Sequence, residues 1–174
     1  MKTLYLLRHG KSDWKAPYGR DHDRPLARRG VEAAALVGDF FSSHGWPECL
    51  LSSSAVRART TLELAAARHG GAPPIEIVPD LYGAGVRGVL EVLARHAGDA
   101  ASALTAGHEP TCSGLVQALT GARCRYPTAT IARIDLHLAS WQEAPERALD
   151  CRGELRWLLP PKALAHVRGR SEVP

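Results

Sequence analysis

Short apolar runs alternate along the chain with longer segments whose apolar positions recur at helical spacing. The short runs predict six strands, at residues 3–7, 49–52, 75–78, 102–106, 129–138 and 154–159. The amphipathic segments predict helices over residues 29–43, about 55–68 and about 86–95, and a fourth helix that begins near Pro110. Strands that alternate with helices pair mostly in parallel and are covered on both faces. The pattern therefore predicts an α/β fold, a three-layer α/β/α sandwich around a mostly parallel sheet of about six strands.

Length and composition narrow the class of protein. The 174 residues suit one domain with a sizeable core. We place this domain at residues 1–160 and treat the Arg-rich segment 161–174 as a peripheral tail. The net charge of +4 is small and scattered, and no basic stretch rich in aromatic residues accompanies it. We therefore expect no nucleic-acid partner.

Cysteine spacing and hydropathy indicate the compartment. The four cysteines lie far apart without a C-x-x-C pair, which argues against a structural zinc site: Cys49, Cys112, Cys124 and Cys151. The N-terminal apolar run is too short for a signal peptide, and no run approaches the roughly 20 residues that span a bilayer. We expect a cytoplasmic protein without a membrane partner, and the oligomeric state stays open.

Unusual polar residues follow three of the predicted strands. An Arg-His-Gly triplet at residues 8–10 follows the first strand, residues 53–57 follow the second, and residues 107–109 follow the fourth. In a parallel sheet with right-handed crossovers these junctions open on the same edge, where ligands of open α/β sheets bind. Two imidazoles and two guanidiniums are therefore expected to meet in one pocket.

This combination of side chains suits phosphoryl transfer. Arg8 and Arg57 can bind phosphate oxygens through paired hydrogen bonds, and the helices that begin here favour an anion at their N-termini. One imidazole, kept neutral by the neighbouring guanidiniums, can attack phosphorus and form a phosphohistidine. The other imidazole, if protonated, can stabilise charge on the phosphoryl oxygens. Because the arginines supply positive charge, we expect neither a metal nor another cofactor.

Three motifs together resemble the histidine phosphatase superfamily, whose fold is phosphoglycerate mutase-like: Arg8-His9-Gly10, Ser53-x-x-x-Arg57-Ala58-x-x-Thr61 and Gly107-His108-Glu109-Pro110. The short chain also resembles the SixA-like branch of phosphohistidine phosphatases, through Lys11-Ser12-x-Trp14 and Asp23-Arg24-Pro25-Leu26. The resemblance implies that His9 is the nucleophile. It also implies that Arg8, Arg57 and His108 form the rest of a phosphate pocket.

A general acid is the least defined part of the predicted site. Family members with full phosphomonoesterase or mutase activity carry a Glu in the loop after the third strand, where this chain has Asp80 as its only carboxyl. Glu109 is the other candidate, either as an acid or as a cap or supporting partner at the start of its helix. Ser12, close to His9 along the chain, could donate a hydrogen bond to phosphate.

The sequence therefore predicts a metal-independent phosphatase, a phosphoric monoester or phosphoramidate hydrolase that works through phospho-His9. A phosphoramidate needs weaker acid assistance than an alkyl ester, so the lack of a clear acid favours protein phosphohistidine as the substrate over a small phosphate ester. Two alternatives stay open. One is a broad small-molecule phosphomonoesterase or mutase with Asp80 or Glu109 as its acid, and the other is a non-catalytic module that binds phosphorylated partners.

Overall fold

The computed structural model describes residues 1–150 and 153–170. The strands are β1 (Lys2–Arg8), β2 (Cys49–Ser53), β3 (Ile75–Val78), β4 (Ser102–Gly107), β5 (Ile131–Leu136) and β6 (Gly153–Leu159). The helices are α1 (Arg28–His44), α2 (Val56–Ala67), α3 (Val86–His96), α4 (Thr111–Thr120), α5 (Ala144–Arg147) and α6 (Pro161–Arg170). Short 3-10 turns occur at Asp21–Asp23, Pro79–Leu81 and Trp141–Glu143. The six predicted strands are all present, with ends that differ by a few residues.

One six-stranded sheet, in the order β3-β2-β4-β1-β5-β6, forms the centre of the molecule. The pairs β1–β4, β2–β4 and β2–β3 are parallel, whereas β5 runs antiparallel to both of its neighbours. The predicted mostly parallel α/β sheet is confirmed, and β5 is the strand of this sheet that runs against the others. The reason lies in residues 121–130, which bring the chain back to the end of β1, where the Ala129 amide donates to the Arg8 carbonyl at 3.0 Å. β5 therefore starts at the edge where β1 ends.

Apolar side chains are buried on both faces of the sheet, which explains why its central strands are continuous apolar runs. On one face, Leu4 and Leu6 of β1 belong to a core covered by α3, α4 and α5. On the other face, Leu7 belongs to a second core covered by α1 and α2. The helices thus form two outer layers around the sheet, as the predicted sandwich requires.

The segment after Pro160 differs from the tail described by the sequence pattern. Its first ten residues form α6, which packs beside α1, and Leu164 is only 2% exposed within the second core. The sequence pattern predicts no element here because Leu164 and Val167 are the only large apolar residues in the sequence of residues 161–170, too few to show a helical period. Cys151, the fourth of the cysteines discussed above, lies outside the described residues. No helix in the described ranges is long and apolar enough to cross a membrane.

A close backbone contact fixes the loop that leaves β1. A Cβ atom on Gly10 would lie 2.8 Å from the carbonyl oxygen of Gly30 in α1, and a Cβ on Gly30 would collide with the carbonyl oxygen of Lys11. Only glycine permits such an approach between two backbones. The loop after β1 is therefore held against the first turn of α1, next to the ends of the parallel strands.

Candidate active site

The strand register brings the three polar junctions together. Arg8 at the end of β1 lies opposite Gly107 at the end of β4, and Ser52 of β2 lies opposite Ala106 of β4. The residues that follow these positions leave the sheet at one edge. The juxtaposition expected from a parallel sheet is therefore present in the structure.

A cavity of about 280 Å³ opens at this edge. It is lined by Arg8, His9, Lys11, Ser12, Trp14, Arg24, Arg57, His108, Glu109 and Thr128. The four predicted pocket residues all border it, together with Ser12 and Glu109. Asp80 does not line this cavity. Its side chain is 59% exposed and makes an ion pair with Arg95 at 2.8 Å, so of the two candidate acids only Glu109 reaches the cavity wall.

His9 is held in one orientation and in one protonation state. Its Nδ1 lies 2.7 Å from the carbonyl oxygen of Gly10, which can only accept, so Nδ1 carries the proton and Nε2 has a lone pair that accepts from Nε of Arg57. Burial, together with the charges of Arg57 and Arg8, lowers the pKa of His9 to about 4, although the hydrogen bond to Gly10 raises it. The expectation that the guanidiniums favour the neutral ring is confirmed in direction, and burial contributes more than they do.

Arg57 presents its guanidinium to His9 from the first turn of α2. Its Nε lies 3.3 Å from Nε2 of His9, and its two terminal nitrogens donate to the carbonyl and carboxylate oxygens of Asp21 at 2.6 Å and 2.9 Å. The Arg57 side chain is 7% exposed, whereas that of Arg59 is 45% exposed and pairs with Glu63. Residues two apart on a helix point about 200° away from each other, which is why Arg57 faces the cavity while Arg59 faces solvent.

His108 stands beside His9, with the two ring centroids 5.2 Å apart. Its Nε2 lies 2.9 Å from Oγ of Ser53, and its Nδ1 is buried without a hydrogen-bond partner among the described residues. Burial, followed by the influence of His9 and Arg57, lowers the pKa of His108 to about 3. This shift favours the neutral ring, because a second buried charge beside the arginines is unfavourable, and the cationic role suggested for a protonated His108 stays a prediction.

Arg8 approaches the cavity from the end of β1. One of its terminal nitrogens donates to the carbonyl oxygen of Tyr126 at 2.6 Å, while its Nε is buried and has no hydrogen-bond partner among the described residues. A buried donor without a partner is costly in a folded protein. An anion in the cavity would offer this guanidinium an acceptor.

Arg24 is the pocket residue that sequence reasoning missed. Its guanidinium is buried, stacks on the indole of Trp14 at 3.6 Å from the ring centroid, and donates to Oγ of Ser12. Ser12 can still donate its own proton, so the role predicted for it is compatible with this contact. The one available signal is that Arg24 belongs to the Asp-Arg-Pro-Leu motif that resembles the SixA-like branch.

Glu109 has a structural contact as well as a place at the cavity wall. Its Oε2 accepts a hydrogen bond from the backbone amide of Ser113 at 2.9 Å, in the first turn of α4. A carboxylate at this position satisfies one of the free amides of a helix N-terminus. The capping role considered for Glu109 thus has a direct contact to support it.

The lowered histidine pKa values predict an unusual acid titration. In ¹⁵N NMR of histidine-labelled protein, we expect His9 to remain neutral until about pH 4 and His108 until about pH 3. Because the unfolded chain binds these protons at the ordinary histidine pKa, stability should fall as the pH drops from about 6.5 towards 4. A midpoint near 6.5 for His9 would contradict the buried, arginine-flanked environment.

Comparison with known proteins places this arrangement in a family. The model of the histidine phosphatase superfamily (branch 1) matches residues 4–85. An uncharacterized chloroplastic protein of Arabidopsis thaliana is 31% identical over 153 residues, which make up 82% of this chain and 70% of that protein.

Two solved structures share the whole fold. The candidate phosphohistidine phosphatase SixA of Agrobacterium tumefaciens is 26% identical with a TM-score of 0.73, covering 92% of this chain and 99% of the other. The corresponding protein of Nakamurella multipartitia is 28% identical with a TM-score of 0.72, covering 92% and 96%. The fold is that of these phosphatase structures. The chain belongs to the histidine phosphatase superfamily and, within it, is similar to the SixA-like proteins.

Proposed function

We propose that this protein is a metal-independent phosphohistidine phosphatase that works through a phosphohistidine at His9. The observation that carries the proposal is the orientation of His9, whose Nδ1 is bonded to the Gly10 carbonyl while Nε2 faces the Arg57 guanidinium. This is the arrangement that an imidazole nucleophile requires, because the attacking nitrogen must carry a lone pair beside a group that binds the phosphoryl oxygens.

In the first step, the lone pair of His9 Nε2 forms a bond to phosphorus and the bond to the leaving group breaks. Arg8 and Arg57 hold the phosphoryl oxygens throughout, which stabilises charge without a metal ion. His108 borders the same cavity, and its neutral ring can donate to a phosphoryl oxygen through the ring nitrogen that carries the proton. In the second step, water attacks phosphorus, the N–P bond breaks, and its electron pair returns to Nε2. The proton that the water loses passes to a phosphoryl oxygen and leaves with the phosphate.

The nature of the leaving group decides whether this site needs an acid. An N-phosphorylated imidazolium leaves as a neutral imidazole and takes its electron pair without a proton, whereas an alkoxide requires one. Asp80 lies outside the cavity, and Glu109 is engaged by the amide of Ser113. Protein phosphohistidine is therefore the substrate class that this site suits best, in keeping with the names given to its SixA-like neighbours.

A comparison of substrates tests the proposal. We expect kcat/KM for a phosphohistidine-bearing protein to exceed that for simple alkyl phosphates by at least about 10²-fold, the usual contribution of acid catalysis that an alkyl ester would lack here. Equal or faster hydrolysis of alkyl phosphates would contradict it.

The position of Glu109 keeps one alternative testable. If the protein is a broad phosphomonoesterase, replacing Glu109 by Gln should slow alkyl ester hydrolysis and remove the limb of its pH profile that an acid produces. Gln retains an oxygen that can accept from the Ser113 amide, so the start of α4 is preserved. Under the phosphohistidine proposal, E109Q should leave the rate of His9 phosphorylation by phosphohistidine protein within about threefold, since no acid is needed there.

We also propose a reducing compartment such as the cytoplasm. The three cysteines within the described residues, Cys49, Cys112 and Cys124, are free, and burial raises the pKa of the Cys112 thiol, which keeps it protonated and unreactive. Labelling of the native protein with a thiol reagent, with and without prior reduction, would test this.

A further inference from the structure

Asp21 occupies a place between two of the arginines that border the cavity. One carboxylate oxygen accepts from Nε and a terminal nitrogen of Arg24 at 3.1 Å and 2.8 Å. The other accepts from Arg57 at 2.9 Å and from the hydroxyl of Tyr82 at 3.3 Å. Burial raises the pKa of Asp21, but the hydrogen bonds and charges of Arg24 and Arg57 outweigh it and leave the pKa below its usual value. An ionised carboxylate therefore joins both guanidiniums.

The contacts of Asp21 determine which edge of Arg57 faces the nucleophile. The backbone carbonyl oxygen and one carboxylate oxygen of Asp21 each accept a hydrogen bond from one terminal nitrogen of Arg57. These two nitrogens form the end edge of the guanidinium. The side edge includes Nε, which donates to Nε2 of His9 at 3.3 Å, so this edge faces the nitrogen that would carry the phosphoryl group. A guanidinium can grip a phosphoryl group through two parallel hydrogen bonds from one edge. The side edge is thus the one available to a phosphoryl group on His9.

A second set of contacts holds Asp21 in place. The next residue, His22, bonds through its two ring nitrogens to Asp23 and to Oγ of Ser54, at 2.9 Å each. Although the sequence shows no partner for His22, this ring ties the 3-10 turn that carries Asp21 to the residues just before α2. The turn is therefore fixed to the same part of the chain that carries Arg57.

We propose that Asp21 is a positioning residue that presents the side edge of Arg57 to the phosphoryl group, and that links Arg57 to Arg24. This inference rests on the proposed function. A positioning role for Asp21 differs from a purely structural role in one respect. The carboxylate also repels a bound phosphate, so its removal should disturb the orientation of Arg57 without weakening the attraction of the cavity for an anion.

The test compares Asp21→Asn with the unaltered protein. We expect single-turnover phosphorylation of His9 to slow by roughly 10- to 100-fold, the size of effect that a misplaced catalytic group produces. Inorganic phosphate, whose binding is measured directly by isothermal titration calorimetry, should bind no more weakly than before. Asp80→Asn is the matched control, since it removes an exposed carboxylate paired with Arg95 and should change neither quantity.

A double-mutant cycle shows whether Asp21 acts through Arg57. In an Arg57→Ala background, Asp21→Asn should lower the phosphorylation rate by no more than about twofold, since coupled residues are non-additive. Fully additive effects, an unchanged rate in the single variant, or a parallel loss of rate and phosphate affinity would each overturn the proposal. Thermal unfolding of every variant shows whether a lost rate reflects a lost fold.

The same experiments distinguish a failure of the proposed function from a failure of the role proposed for Asp21. If the unaltered protein forms no phospho-His9 from a phosphohistidine protein, that function is wrong. The affinity for inorganic phosphate then still tests the role of Asp21. A weaker phosphate affinity in Asp21→Asn contradicts that role. An equal or higher affinity in Asp21→Asn, together with a weaker affinity in Arg57→Ala, supports it.

Discussion

Replacing His9 by alanine is expected to abolish turnover and to remove the covalent phosphoenzyme. Nε2 of His9 is the ring nitrogen that faces Arg57, at 3.3 Å, and alanine has no atom that can form the N–P bond of the proposed intermediate. We expect the rate to fall by more than about 10⁴-fold, well beyond the loss of one charge-stabilising donor. Labelled substrate followed by rapid denaturation should leave an acid-labile, base-stable label on the original protein and none on the variant.

Two controls separate chemistry from folding in this experiment. His137 is an exposed histidine, with a side chain 57% exposed, and His137→Ala should retain full activity and full labelling. His9→Asn fills more of the buried position than alanine, so it should remain folded while it is equally inactive. A His9→Ala protein with near-original turnover would exclude the phosphohistidine mechanism. Binding of phosphate without any labelling of the original protein would instead indicate a non-catalytic module.

The strands and the four predicted pocket residues could be found from the sequence because each depends on local pattern. A run such as Leu4 to Leu7 is apolar at consecutive positions since both faces of β1 are buried, and its end is marked by Arg8. Parallel strands end at one edge, so residues far apart in sequence could be placed together without knowing any contact. The reversed direction of β5 could not be found in this way, because it depends on how residues 121–130 return to β1.

Arg24 and Asp21 were beyond prediction for a different reason. They lie in a polar loop without periodicity, and their positions depend on how that loop closes. Ser12 pairs with Leu26 in an isolated antiparallel bridge, and the amide of Asp13 donates to the carbonyl of Pro25 at 2.9 Å, which returns Arg24 to the cavity. The lowered pKa of His108 could not be predicted either, because it comes first from burial, and burial follows from tertiary packing rather than from spacing.

Replacing Arg57 by alanine is expected to slow phosphorylation of His9 by about 10²–10³-fold, equivalent to roughly 3–4 kcal/mol of transition-state stabilisation. The guanidinium is 7% exposed and lies against His9, so its charge acts in a site with little water to screen it. Removing it also leaves the Asp21 carboxylate with only Arg24 as a cationic partner, which adds negative charge beside the phosphoryl group.

Two further variants show which property of Arg57 matters. Arg59→Ala, two residues along the same helix, removes an equal charge from an exposed position paired with Glu63 and should leave the rate within about twofold. Arg57→Lys keeps the charge but cannot use two parallel donors, so it should recover less than about a tenth of the lost rate. Full recovery by lysine would mean that charge alone suffices and that the edge presented to phosphate is irrelevant. If Arg57 binds the transferring group, its removal must slow phosphorylation of His9 more than removal of the solvated Arg59 does. A rate loss in Arg57→Ala no greater than that in Arg59→Ala would therefore show that Arg57 does not bind the phosphoryl group.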